Sequence, residues 1–188
     1  MKNEIRMTYP RTEYFSLNQE LTSYIGSKLT EFMEYSTVTI QPDFPYTLDT
    51  YYEKYSSGDY LSYVFFTSQY TGGAHPSNTI YTITYDKEKN KLITISDLID
   101  KNKDLLSILS KESREILKKY PTFQTPYFIE NMLLEGTEPK MDSFQNFAFG
   151  KDGLILFFEQ YQVEPYSEGS FRVVIPYDKL TRFNLISN

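Results

Sequence analysis

The sequence has no cysteine, no tryptophan and a single histidine, His75. Without cysteine there is no disulfide framework, no redox pair and no thiolate zinc cluster. A catalytic zinc usually takes three protein ligands. One histidine would leave the rest to carboxylates, and these are not clustered along the chain. A Ser-His-Asp hydrolytic site would have to use His75. Ser68 and Ser77 stand near it in sequence, but no G-x-S-x-G turn is present to expose a nucleophile. No catalytic residue, metal site or cofactor is assigned, and the chain reads as a non-enzyme. No apolar run approaches the ~20 residues of a membrane-spanning helix, and the opening MKNEIRMTYP lacks the apolar core of a signal peptide. Basic residues are outnumbered, 19 Lys and Arg against 25 Asp and Glu, for a net charge of −6. That balance opposes nucleic acid, whose affinity rests on neutralising phosphates, and suits a basic protein or a neutral glycan.

What the sequence does have is aromatic side chains, 18 Tyr and 14 Phe in 188 residues. Phe fills a core, but so many Tyr cannot all be buried with a partner for each hydroxyl, so many must lie at the surface. Exposed Tyr is rigid and amphipathic, which makes it a good contact residue. The length suits one compact unit with a substantial core.

Residues 4–9 read as an opening strand. A helix follows from Ser16, with Gln19 at capping-box spacing and Leu17, Leu21, Tyr24, Ile25, Leu29 and Phe32 on one stripe. Pro42 and Pro45 punctuate its exit. Tyr-rich strands then flank the turn Ser56-Ser57-Gly58-Asp59, and residues 79–85 alternate as a half-buried strand does. A charged hairpin over 86–91 leads into a return strand over 92–95. Asp86, Glu88, Asn90 and Asp97 mimic the offsets of a calcium loop, but Lys91 stands where the sharp turn needs glycine, so the hairpin is preferred. A second helix covers 102–120, with Leu105, Ile108, Leu109, Ile116 and Leu117 on its apolar face. A third is expected from Thr125 and Pro126, with Gly136 as its stop. Three strands close the chain, over 144–149, 154–159 and 171–175, the first two joined by Lys151-Asp152-Gly153. Helices and strands in blocks predict an α+β fold, antiparallel sheet(s) packed with about three helices. The organisation expected is a companion segment over 1–66 and a motif-bearing segment over 67–188, packed as a single compact unit.

Two loops stand out at strand ends: Tyr70, Thr71, Gly72, Gly73, Ala74, His75 and Pro76, then Tyr161 to Pro165 and Tyr166. Gly72-Gly73 lacks the Lys and the helix of a phosphate-binding loop. Paired glycines mark a tight turn or a backbone that a partner approaches closely. Loops held on a rigid sheet are where binding is usually placed.

These loops carry a resemblance. The ordered motifs TGGAH (Thr71–His75), T-x-x-DL (Thr94–Leu98), F-x-x-Y-x-x-x-P-Y-x-x-G (Phe158–Gly169) and IPY (Ile175–Tyr177) resemble the extracytoplasmic domain of RsiV-type anti-sigma factors. The same domain family supplies the N-terminal module of some peptidoglycan polysaccharide deacetylases. The resemblance implies a receptor for lysozyme, and the place of the two loops at strand ends assigns Tyr70, Thr71, Gly72, Gly73, His75, Pro76, Tyr161, Pro165 and Tyr166 to the partner-binding surface. It implies an extracytoplasmic location, with a membrane anchor and a sigma-factor-binding segment outside this sequence, and release of the sigma factor once ligand binding permits proteolysis. In the deacetylase setting it implies a non-catalytic module for cell-wall glycan, because the Asp/His metal motifs of the catalytic domain are absent here. Pro76 departs from the glycine often found after the TGGAH turn, and stiffens that loop.

Overall fold

The computed structural model describes residues 3–38, 44–100, 102–183 and 185. Strands β1 (Glu4–Met7), β2 (Thr47–Ser57), β3 (Tyr60–Tyr70), β4 (Ser77–Asp86) and β5 (Lys91–Ile93) form one sheet in sequential order. Strands β6 (Phe147–Phe149), β7 (Gly153–Phe158) and β8 (Phe171–Pro176) form a second, wholly antiparallel sheet. Among the described residues four α-helices accompany them: α1 (Phe15–Val38), α2 (Ile95–Ile99), α3 (Leu105–Leu117) and α4 (Glu130–Gly136). The architecture is the expected α+β, with one difference. The first sheet is mixed, because β1 pairs with β2 in parallel, Ile5 opposite Leu48. A strand that returns after a 24-residue helix comes back in the same direction. That strand–helix–strand opening overrides the block pattern on which an antiparallel pairing was expected.

The elements stack in layers. Along β3 the side chains alternate between two faces. Leu61, Tyr63 and Phe65 join Leu17, Leu21, Tyr24 and Ile25 of α1 in one buried cluster. Val64 packs the opposite way, with Ala148, Ile155 and Phe157 of the second sheet. The outer face of that sheet buries Leu156, Phe158, Val173 and Ile175 against Leu105, Leu109 and Leu117 of α3. Between the sheets, hydroxyls stand in for strand pairing. Ser62 Oγ accepts from the Phe149 amide at 3.2 Å, Thr82 Oγ1 accepts from the Phe147 amide at 3.1 Å, and Thr84 Oγ1 donates to the Phe147 carbonyl at 3.4 Å.

Several local expectations change. Ser16 does not cap α1. The helix begins at Phe15, the Ser16 hydroxyl bonds Tyr85, and Thr12 with Asn18 ties the approach instead: the Thr12 amide donates to Asn18 Oδ1 at 2.8 Å and Asn18 Nδ2 returns a bond to the Thr12 carbonyl. Leu29 is exposed while Phe32 is buried, since a 3.6-residue stripe drifts off position 29. The third helix starts at Glu130, because residues 121–124 take a 3-10 turn whose Thr122 carbonyl accepts from the Thr125 hydroxyl. Residues 141–144 also form a 3-10 turn, so β6 is only three residues long. The return strand expected over 92–95 stops at Ile93, because Thr94 and Asp97 make the reciprocal capping box of α2, which begins at Ile95. The hairpin over 86–91 forms, with Asp86 paired to Lys89 and Lys91 to Asp97, each at 2.7 Å. Pro42 lies outside the described residues. Position 66 falls within β3.

Candidate functional site

The two loops meet. β3 ends at Tyr70 and β4 begins at Ser77, so the TGGAH turn projects from the end of the first sheet. Gly72 takes φ +90, a conformation that demands glycine, whereas Gly73 does not. β7 ends at Phe158, and the chain to β8 folds back over the same end. Tyr161 sits at φ +66, a strained value for a residue with a β-carbon, and its side chain is 59% exposed. Gln162 fixes this segment from beneath. Its Oε1 accepts from the Glu159 amide at 3.0 Å, and its Nε2 donates to the Gly136 and Ser143 carbonyls at 3.1 and 3.0 Å. Val163 is fully buried beside it.

Tyr166 closes the junction. Its ring stacks on His75 with centroids 3.9 Å apart and planes 25° from parallel. Its hydroxyl donates to the Pro76 carbonyl at 2.9 Å, and the Tyr161 ring lies 5.6 Å away, tilted by 40°. His75 Nδ1 lies 3.0 Å from the same carbonyl, an arrangement that places the ring proton on Nδ1, since a carbonyl only accepts. Asn78 Nδ2 donates to Gln160 Oε1 at 3.0 Å, and Gln160 Nε2 donates to the Tyr166 carbonyl at 3.4 Å. The Ile80 amide donates to the Glu159 carboxylate at 2.6 Å. His75, Pro76, Tyr161 and Tyr166 therefore share one surface, with Pro165 leading into it. Tyr70 is half-buried opposite Thr47, and no hydrogen bond or ring contact among the described residues ties it or Thr71 to Tyr166.

Chemically the surface is built for contact. Among the described residues, no serine hydroxyl or carboxylate hydrogen-bonds His75, and no group of three or more His, Asp or Glu side chains is disposed to hold a metal ion. Glu164 faces inward, 3% exposed, with Oε1 unpartnered. Burial pushes its carboxyl above the usual range and Glu168 adds to this, while the Ile129 amide opposes them.

The remaining motifs prove structural. In IPY, Ile175 is fully buried and the Tyr177 hydroxyl donates to the Gly150 carbonyl at 2.8 Å. In T-x-x-DL, Thr94 and Asp97 cap α2 and Leu98 is buried.

Sequence reasoning passed over Tyr51, Asn78 and Gln160, which surround a cleft of about 260 Å³ beside the Tyr166 junction. The signal available for Tyr51 was the alternation of Asp49, Tyr51, Glu53 and Tyr55 along one face of β2. The larger hollow between Tyr60, Lys91 and Arg182, about 670 Å³, is instead lined largely by charges paired with one another, Asp86 with Lys89 and Lys91 with Asp97.

Residues 96–178 match the family model described as Protein of unknown function (DUF3298), and residues 2–78 match the one described as Deacetylase PdaC. The peptidoglycan-N-acetylmuramic acid deacetylase PdaC of Bacillus subtilis is 34% identical over 103 residues, 55% of this chain. That match spans only 21% of the deacetylase. An esterase of Mycobacterium tuberculosis is 29% identical over 180 residues, 93% of this chain and 75% of its own length. The crystal structure of a DUF3298 family protein from Pseudomonas aeruginosa superposes with a TM-score of 0.56 at 16% identity, over 84% of this chain and 67% of that one, a likeness of fold alone.

Proposed function

We propose that this chain, which joins a PdaC-type segment to a DUF3298 segment, is a non-catalytic recognition domain on the extracytoplasmic side of a bacterial membrane, and that its ligand is lysozyme. In this reading it acts as the sensor of an RsiV-type anti-sigma factor. Ligand binding opens the full-length protein to proteolysis and frees an extracytoplasmic-function sigma factor, which is held by a segment outside this sequence. The observation that carries the reading is the stack of Tyr166 on His75, which merges two separately predicted loops into one aromatic surface. Such rigid, amphipathic rings are the usual anchors of a protein interface. The net charge of −6 complements a strongly basic ligand and speeds the encounter.

A second reading, a cell-wall glycan module, is favoured by the match of residues 2–78 to the deacetylase model and by the cleft at Tyr51. Calorimetric titration with hen egg-white lysozyme at low and moderate salt decides between them. The receptor reading expects one-to-one binding that weakens as salt screens the charges, whereas stacking on a neutral sugar barely responds to ionic strength. An absence of heat at both salts, with no complex on a sizing column, removes lysozyme of that type as the ligand.

An esterase reading, open through the mycobacterial relative, requires a nucleophile activated by a base. Among the described residues no serine hydroxyl hydrogen-bonds the only histidine, and its Nδ1 faces a backbone carbonyl where a triad has a carboxylate.

A further inference from the structure

The strand register sets two rows of side chains on one face of the first sheet. Asp49, Ser68 and Asn78 stand opposite one another on β2, β3 and β4, and two residues along each strand Tyr51, Phe66 and Ile80 do the same. A polar row thus runs beside an apolar one, about one pleat repeat away. Tyr51 and Phe66 stack with centroids 5.0 Å apart and planes 15° from parallel, and Tyr51 is 58% exposed. The second sheet reaches the apolar row, where Phe157 meets Phe66 edge-on at 6.2 Å, and none of its strand residues lines the cleft over the polar one. The chain after β7 overhangs the polar row instead, and Gln160, Gly169 and Ser170 form the far wall of the cleft.

We infer that this cleft is a saccharide subsite for one neutral hexosamine ring of a cell-wall glycan. The inference deepens the second reading above, and the cleft adjoins the loop surface assigned to a protein partner through Asn78 and Gln160, with Tyr51 and Ser68 on its far side from the hydrogen bonds of that junction. Three features select the ligand. The exposed Tyr51 face suits the flat C–H face of a pyranose. The hydroxyls of Ser68 and Ser170 and the Asn78 Oδ1 make no hydrogen bond among the described residues, so they are free for ring hydroxyls or an N-acetyl group. No Lys or Arg lines the cleft, and Arg6, the cation nearest Asp49, is paired with that carboxylate at 3.8 Å, which disfavours phosphate, nucleotide or carboxylate groups. Of the two sugars that alternate in peptidoglycan, N-acetylmuramic acid carries a lactyl group, as a free carboxylate or amide-linked to a peptide, and N-acetylglucosamine carries neither, so the smaller neutral one is the better match. The volume lies just below the ~300 Å³ at which sites for drug-sized ligands begin, and fits one ring with its neighbours in solvent.

The test is titration of the whole chain with tri-N-acetylchitotriose, followed by amide chemical shifts. The expected result is saturable shifts at residues 49–51, 66–68, 78–80 and 169–170, little changed by salt. Tyr51→Ala is expected to weaken binding at least tenfold, and Ser68→Val several-fold. Both variants should stay folded and keep the wild-type lysozyme titration, with the melting temperature of Tyr51→Ala modestly lowered by loss of the stack on Phe66. No shifts, or shifts that Tyr51→Ala leaves unchanged, overturn the subsite. Saturable shifts mapping elsewhere overturn it too, but leave a glycan module standing. Lysozyme binding is measured separately, so loss of the sugar with lysozyme retained, or the reverse, identifies which assignment has failed.

Discussion

The Tyr166 hydroxyl donates to the Pro76 carbonyl, which lies 90 positions away in the chain, so one side chain holds both motif loops in register. The same residue stacks on His75, so removing its ring releases the TGGAH turn as well as deleting a contact. Two substitutions separate these effects. Tyr166→Ala is expected to raise the dissociation constant for lysozyme at least ~30-fold, the equivalent of about 2 kcal/mol, as for an interface hot spot. Tyr166→Phe keeps the stack and loses one hydrogen bond, so it should cost about 1 kcal/mol or less, under tenfold. Titration of both variants checks the ordering, and an unchanged constant for Tyr166→Ala removes it from the interface.

Gly136 ends α4 where the backbone of Gln162 passes directly over it. A β-carbon there would lie inside the van der Waals shell of the Gln162 carbonyl and press on the Val163 side chain. Gly136→Ala must push away the segment that Gln162 anchors. The expected loss is about 1–3 kcal/mol, as for overpacking, and at roughly 2–4 °C per kcal/mol in a chain of this size a thermal melt will show it. The shift should be accompanied by weaker ligand binding, because Tyr161 and Tyr166 ride on that segment.

Arg114 of α3 fastens the end of α4. Its Nε donates to Thr137 Oγ1 at 2.7 Å, and a terminal nitrogen donates to the Leu134 carbonyl at 2.9 Å. Lysine keeps the charge but cannot present that planar fork. Arg114→Lys is therefore expected to lower stability by about 1–2 kcal/mol, the scale of charge-assisted hydrogen bonds partly replaced. Denaturant unfolding should show a lower midpoint with an unchanged slope.

The strands and the second helix were legible because burial imposes a period. Leu105, Leu109 and Leu117 mark the buried side of α3, and the hairpin at Gly58 shows through its flanking Tyr runs. The two loops were legible by composition, but their meeting was not, since no local pattern relates His75 to Tyr166. Gly136 was read as a helix stop, although its φ is not positive and its smallness serves a tertiary approach that no window of sequence contains. The row of Asp49, Ser68 and Asn78 escaped for the same reason. Each residue is ordinary within its own strand, and only the register lines the three up.

Glu164 adds a pH dependence of predictable sign. Burial raises its carboxyl pKa in the folded chain, with Glu168 contributing and the Ile129 amide opposing. Between the unfolded value, near ~4.3 for glutamate, and the raised folded value, the native state binds the extra proton. Stability is thus fully present below the unfolded value and declines as pH rises through the folded one. Glu164→Gln removes the ionisation while keeping the shape. Its melting temperature should match the wild type at pH 4 and exceed it at pH 7, the gap opening between those limits. Melts of both proteins across that range check the sign, and curves that stay parallel would show that Glu164 ionises in the fold at no cost. Because Glu164 immediately precedes Pro165 and Tyr166, a larger gap in the presence of bound lysozyme would further show that docking presses this carboxyl deeper into the protein.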